Sequence, residues 1–69
     1  MVKNYGMKMF VLYDGRAKSG NLDRASILDT THSEEEARNT VGFGDAVWYE
    51  FDMVGDNLLN PKIRLDLNG

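Results

Sequence analysis

Residues 9–13 read Met-Phe-Val-Leu-Tyr, a strand with no polar side. Successive side chains of a β-strand point to opposite faces, so Met9, Val11 and Tyr13 share one face and Phe10 and Leu12 the other. Both are apolar. Such a strand belongs in the middle of a sheet, with material packed above and below it. In a chain of 69 residues that demand is severe. A chain this short buries only about 60 % of its unfolded surface, so it must find two covers for one small sheet.

The remaining pattern supplies the sheet. Residues 25–29, Ala-Ser-Ile-Leu-Asp, predict a short second strand. Ser33-Glu34-Glu35-Glu36 is a capping box, with a hydroxyl to take the amide three residues on and acids in the first turn to suit the helix dipole. It predicts a helix from Glu34 to about Val41, stopped by Gly42 or Gly44, with Phe43 folded back beneath it. Residues 46–53 predict a third strand, with Val47, Tyr49, Phe51 and Met53 on one face and Trp48, Glu50 and Asp52 on the other. Val54-Gly55-Asp56-Asn57 reads as a turn. The last strand, residues 58–67, contains Asn60-Pro61; proline donates no ladder hydrogen bond, which assigns this strand to an edge.

The expected architecture is a flexible N-terminal tail, residues 1–6, before a single α+β domain, residues 7–69. Its order is β-β-α-β-β, in a mainly antiparallel four-stranded sheet of spatial order 2-1-3-4. That order puts the two most apolar strands in the middle. One short helix covers one face, and the pattern does not say which. Set over Val47, Tyr49 and Phe51, it leaves Trp48 with Phe10, Leu12 and Glu50 on an open aromatic face, the mark of a partner surface. Set otherwise, the C-terminal segment or residues 1–6 close over Trp48.

Eleven residues, 14–24, join the first two strands, long for a hairpin loop of about two to five. Gly15 and Gly20 are free to take positive φ. Arg16, Lys18 and Arg24 outnumber Asp14 and Asp23. Asp14, Ser19, Asn21 and Asp23 are residue types that bond back to nearby amides in turns, so the loop reads first as self-capped. The other reading is an anion site built on Gly15, Arg16, Lys18, Gly20 and Arg24. It is not a Walker loop: Lys18-Ser19 precedes Gly20 and leads into a strand, not a helix.

Net charge −3 and a pI near 4.9 argue against unaided nucleic-acid binding. The absence of cysteine removes disulfides and thiolate metal sites, and His32 is the only histidine, so no metal and no cofactor are expected. Asp14, Asp23 and Asp29 match no calcium-loop spacing. No serine–histidine–acid logic holds on one histidine, which points away from an enzyme. No signal peptide or apolar run of about 18 residues is present, so a cytoplasmic, soluble protein with no membrane association is expected.

The segment Tyr13-Asp-Gly-Arg-Ala-Lys-Ser-Gly-Asn-Leu-Asp-Arg-Ala-Ser-Ile-Leu-Asp29, with its acidic helix and the strand ending Tyr49-Glu-Phe-Asp52, resembles small hypothetical proteins of bacteria and their phages. The resemblance covers most of residues 9–60. It implies no activity and no catalytic residue. Asn21 and Arg24 stand where that group is more acidic, which argues against a shared metal site. The expectation is therefore a non-enzymatic protein-interaction module that meets a host protein or a second copy through the Trp48 face. The alternative is a phosphate- or nucleotide-binding domain acting through residues 14–24.

Overall fold

The computed structural model describes residues 7–40 and 44–67. Four strands and one helix follow in the order β1 (Lys8–Tyr13), β2 (Ile27–Thr31), α1 (Glu34–Asn39), β3 (Val47–Val54) and β4 (Asn57–Arg64). Two short 3-10 turns complete the set, at Gly15–Ser19 and at Leu65–Leu67. The sheet order is β2-β1-β3-β4, and every neighbouring pair is antiparallel. This is the expected order, with the two-sided apolar strand beside the best aromatic strand. The expected tail, residues 1–6, and the expected helix end at residues 41–43 lie outside the described residues.

Register assigns the two faces. Phe10 stands opposite Glu50 and Leu12 opposite Trp48, with Arg64 opposite Trp48 on β4. Val11 stands opposite Tyr49 and Tyr13 opposite Val47, with Ile63 opposite Tyr49. Each face has its own core. Phe10, Leu12, Ala46 and Trp48 pack with Ala37 of α1 and with Leu67. Val11, Tyr13, Val47, Tyr49 and Phe51 pack with Ala17, and Met9, Leu22 and Ala25 lie against them.

The helix therefore covers the Trp48 face, not the Val47–Tyr49–Phe51 face. Two features of the sequence account for this. Ala37 is the buried residue of α1, so the helix can come close to a face already carrying a tryptophan. The basic residues of the sheet, Lys8, Lys62 and Arg64, stand on that same face, where the acidic first turn of the helix finds a partner: Arg64 Nη2 lies 3.4 Å from Glu34 Oε2. The opposite face is covered by the long loop. Its 3-10 turn buries Ala17, whose carbonyl accepts from the buried Tyr49 hydroxyl at 2.8 Å.

The helix starts as expected and ends sooner. Ser33 Oγ accepts from the Glu36 amide at 3.2 Å. The return arm of the capping box runs through an extra residue: the Ser33 amide donates to Thr31 Oγ1, and that hydroxyl donates to Glu36. Thr40, in an extended conformation with ψ 126°, closes the helix with its amide on the Ala37 carbonyl. The last strand also stops early. It leaves the ladder after Arg64, and Leu65–Leu67 turns inward so that Leu67 reaches the core.

Candidate functional site

Three places merit description: the Trp48 face, the loop, and the part of the Tyr49 face that the loop leaves uncovered. Trp48 is 1 % exposed, and Phe10 and Leu12 are buried with it. The open aromatic face expected from the sequence is thus closed, by α1 and by Leu67. The pattern also allowed a cover by the C-terminal segment or by residues 1–6; Leu67 supplies the first, and residues 1–6 lie outside the described residues.

Glu50, the fourth residue expected in a partner surface, is engaged instead in an ion-pair cluster. Its carboxylate lies 3.1 Å from Lys8 Nζ and 2.5 Å from Arg64 Nη1. Lys8 also reaches Asp52 at 2.7 Å, and Asn60 donates to the other oxygen of Asp52 at 2.9 Å. Arg64 donates Nε and Nη2 to the two oxygens of Asp66, at 2.9 and 2.8 Å, a two-pronged geometry that is among the strongest hydrogen-bonded ion pairs. Arg38 joins Glu34 at 2.7 Å. The cluster thus ties β1, β3, β4, α1 and the last turn together.

The carboxyls respond accordingly. Burial pushes Glu50 up, but the hydrogen bonds from Lys8 and Arg64 outweigh it and hold the group below its ordinary value. Arg64 and Arg38 lower Glu34, and Lys8 and Asn60 lower Asp52. The Arg64 hydrogen bond draws Asp66 from 3.8 to about 2. Asp66 in turn raises Arg64, and Asp52 and Glu50 raise Lys8.

The loop is self-capped. Asp14 accepts from the Arg16 amide at 3.0 Å and from the Ser26 amide at 3.1 Å, and these two donors hold its carboxyl low, Ser26 being the stronger. Arg16 spends Nη1 on the Arg24 carbonyl, Ser19 donates to the Arg16 carbonyl, and Asn21 donates to Ser19. Gly20 takes φ 90° and closes the turn on the Ala17 carbonyl. Gly15 does not need positive φ. A Cβ there would meet the Asp45 carboxylate, so a larger residue has to push that side chain aside. The head of the loop thus already holds two carboxylates of the chain itself. Among the residues expected to bind an anion, Arg16, Lys18 and Arg24 are all exposed, and Lys18 and Arg24 make no side-chain ion pair among the described residues.

The third place is one that pattern reading missed. The Met53 amide donates to the Met7 carbonyl at 3.1 Å, extending the β1–β3 ladder by one pair, and Met53 stands opposite Leu58. Met7, Met53 and Leu58 therefore form a row across three strands on the Tyr49 face. Met7 is 48 % exposed and Leu58 40 %. Ile63 lies further along the same face and is also exposed. The loop covers the far end, over Tyr13 and Tyr49, and stops short of this row. The alternation of Val47 to Met53 put Met53 on this face; the missing signal was the reach of the loop.

The sheet edges are blunted. On β4, Asn60 takes φ 57° where the register slips between Glu50 and Asp52, and Pro61 follows it with no N–H to offer. On β2, Asp29 accepts the N–H of Thr30 at 2.8 Å, so that donor is already engaged. His32 Nδ1 lies 3.0 Å from the Lys8 carbonyl, the next β1 acceptor beyond the end of β2. Addition of a foreign strand is therefore a poor route to binding, and a partner must meet side chains instead.

No protein-family model, no curated protein and no solved structure matches the chain. Among the described residues no group of three or more metal-ligating side chains converges, and no helix is long and apolar enough to cross a membrane.

Proposed function

We propose that the chain is a non-enzymatic protein-interaction module and that it meets a second copy of itself through the uncovered half of the Tyr49 face. The observation that carries this reading is the Met7–Met53–Leu58 row with Ile63 beside it, apolar and partly exposed on the face opposite the buried Trp48. Methionine suits such a surface, because its flexible thioether adapts to whatever packs on it. A two-fold contact needs only the same patch on both partners. Small chains often complete their cores in this way. The resemblance to small bacterial and phage proteins brings no activity to set against it.

The second reading, a phosphate- or nucleotide-binding loop, has less behind it. The amides at the head of the loop serve Asp14, and only the exposed side chains of Lys18 and Arg24, with the remaining donors of Arg16, are left for an anion.

Light scattering over a concentration series tests the first reading. The wild-type mass should rise toward twice 7.8 kDa. Leu58→Asp should hold it at the monomer value with an unchanged far-ultraviolet circular dichroism spectrum. A wild-type protein that stays monomeric throughout overturns the reading, as does a Leu58→Asp protein that dimerises like wild type.

A further inference from the structure

The cover over Trp48 is uneven. On one side α1 contributes Ala37, anchored by its own turn of helix. On the other, Leu67 fills the space and is fully buried, yet it belongs to a turn of only three residues whose other two members, Leu65 and Asp66, are exposed. The turn is held by two things. One is the Leu67 side chain in an apolar socket of Phe10, Leu12, Ala37, Ala46 and Trp48. The other is the Asp66 carboxylate on the Nε–Nη2 edge of Arg64, with Arg38 3.9 Å away. Arg64 itself lies on β4 opposite Trp48 and is bonded to Glu50 through Nη1, two contacts that do not involve the turn. An apolar socket beside a pre-positioned guanidinium edge has the make-up of a peptide-recognition site. A carboxylate and the leucine-sized side chain after it satisfy both parts at once.

We infer that this socket recognises an acidic residue followed by a large apolar one, that Asp66-Leu67 fills it in cis, and that a partner segment of the same chemistry displaces the turn and takes its place over Trp48. The turn is then an internal pseudo-ligand, and the Trp48 face is a partner surface held closed until a competitor arrives. This site lies on the face opposite the proposed dimer contact, so it stands or falls separately: Leu58→Asp should leave it unchanged.

Trp48 is the only tryptophan, so its fluorescence reads the socket directly. In the full chain, Asp66→Ala should raise quenching of Trp48 by acrylamide several-fold while the far-ultraviolet circular dichroism and the urea midpoint stay near wild type. Millimolar acetyl-Leu-Asp-Leu-amide should restore the protection, and acetyl-Leu-Asn-Leu-amide should not. The inference is overturned if Trp48 stays protected in Asp66→Ala. It is overturned equally if protection is lost only together with the whole fold, since the turn is then not a separable cover. Equal action by the two peptides also overturns it, because the guanidinium edge then plays no part in recognition.

Discussion

The two faces of this sheet are covered by opposite means. The Trp48 face is closed by a short helix and one leucine, and its rim is tied by charges: Lys8, Arg38 and Arg64 against Glu34, Glu50, Asp52 and Asp66. The Tyr49 face is closed by a loop whose grip is neutral. The Tyr49 hydroxyl donates to the Ala17 carbonyl, and Tyr13 and Tyr49 meet edge to face with ring centroids 5.6 Å apart. Burial of Tyr13 raises its pKa, with Tyr49 adding to the shift. The charged closure reaches across most of its face, whereas the neutral one stops before Met7, Met53 and Leu58. Among the described residues, one helix and one loop thus enclose a two-sided strand and leave Met7 and Leu58 partly exposed on one face.

The comparison is tested most strongly at Trp48 itself. If its face is closed, Trp48→Ala removes a core residue and should cost about 3–5 kcal/mol of stability, enough to unfold much of so small a domain. Urea unfolding followed by circular dichroism gives the number. A variant that folds with near wild-type stability would mean that the face is open after all. On the loop side the corresponding change is smaller. Tyr49→Phe keeps the ring and its packing but removes one of the two bonds to the Ala17 carbonyl, which still accepts from the Gly20 amide, at a cost of about 0.5–1.5 kcal/mol. Amide hydrogen exchange should locate the loss in residues 15–19. If protection falls evenly over the molecule instead, the loop is not held separately by that hydroxyl.

Much of the fold was legible in the sequence, for reasons that particular residues make plain. The apolar run of β1, the alternation of β3 and the proline of β4 are local signals with one physical meaning each, and together they lead to the order β2-β1-β3-β4. Ser33 and its three glutamates marked the helix start. The choice of face was not legible, because it depends on long-range pairing. Glu34 finds Arg64, thirty positions away, only once β4 is in place. Asp14, Ser19, Asn21 and Asp23 marked the loop as self-capped; Asp14 alone of these takes loop amides, while Ser19 bonds a carbonyl and Asn21 bonds Ser19, and nothing local shows that Ala17 is the buried anchor. Leu67 continued the alternation of Ile63 and Leu65, so pattern placed it in a strand. Its inward turn follows from the space that Ala37 leaves beside Trp48. The proposed contact lies away from Trp48 for the same reason: the obvious aromatic is buried, and exposed apolar side chains occur elsewhere, among them Met7 and Leu58 on the opposite face.

Acid offers the finest separation of the two faces. Each of Glu34, Glu50, Asp52 and Asp66 is held below its ordinary value by cations on the Trp48 face, while on the loop side Asp14 is held low by the Ser26 and Arg16 amides. A carboxyl whose folded pKa is depressed stabilises the fold fully above its unfolded value, and that contribution fades as pH falls through the folded one. For Asp66 the window runs from 3.8 down to about 2. Lys8 is raised, so its share is complete below 10.5 and is lost only as pH climbs past its folded value. Stability at low salt should therefore be level between the carboxylate and lysine ranges and should fall on acidification below about 4. Because these pairs are largely solvent-exposed, the fall should be modest and should shrink in molar salt. With charges concentrated on one face, Trp48 quenching should rise before the amides of residues 15–19 lose protection. Simultaneous loss at both places would show that the two closures form one cooperative unit. A decline that began near neutral pH would take control of stability away from these carboxylates altogether.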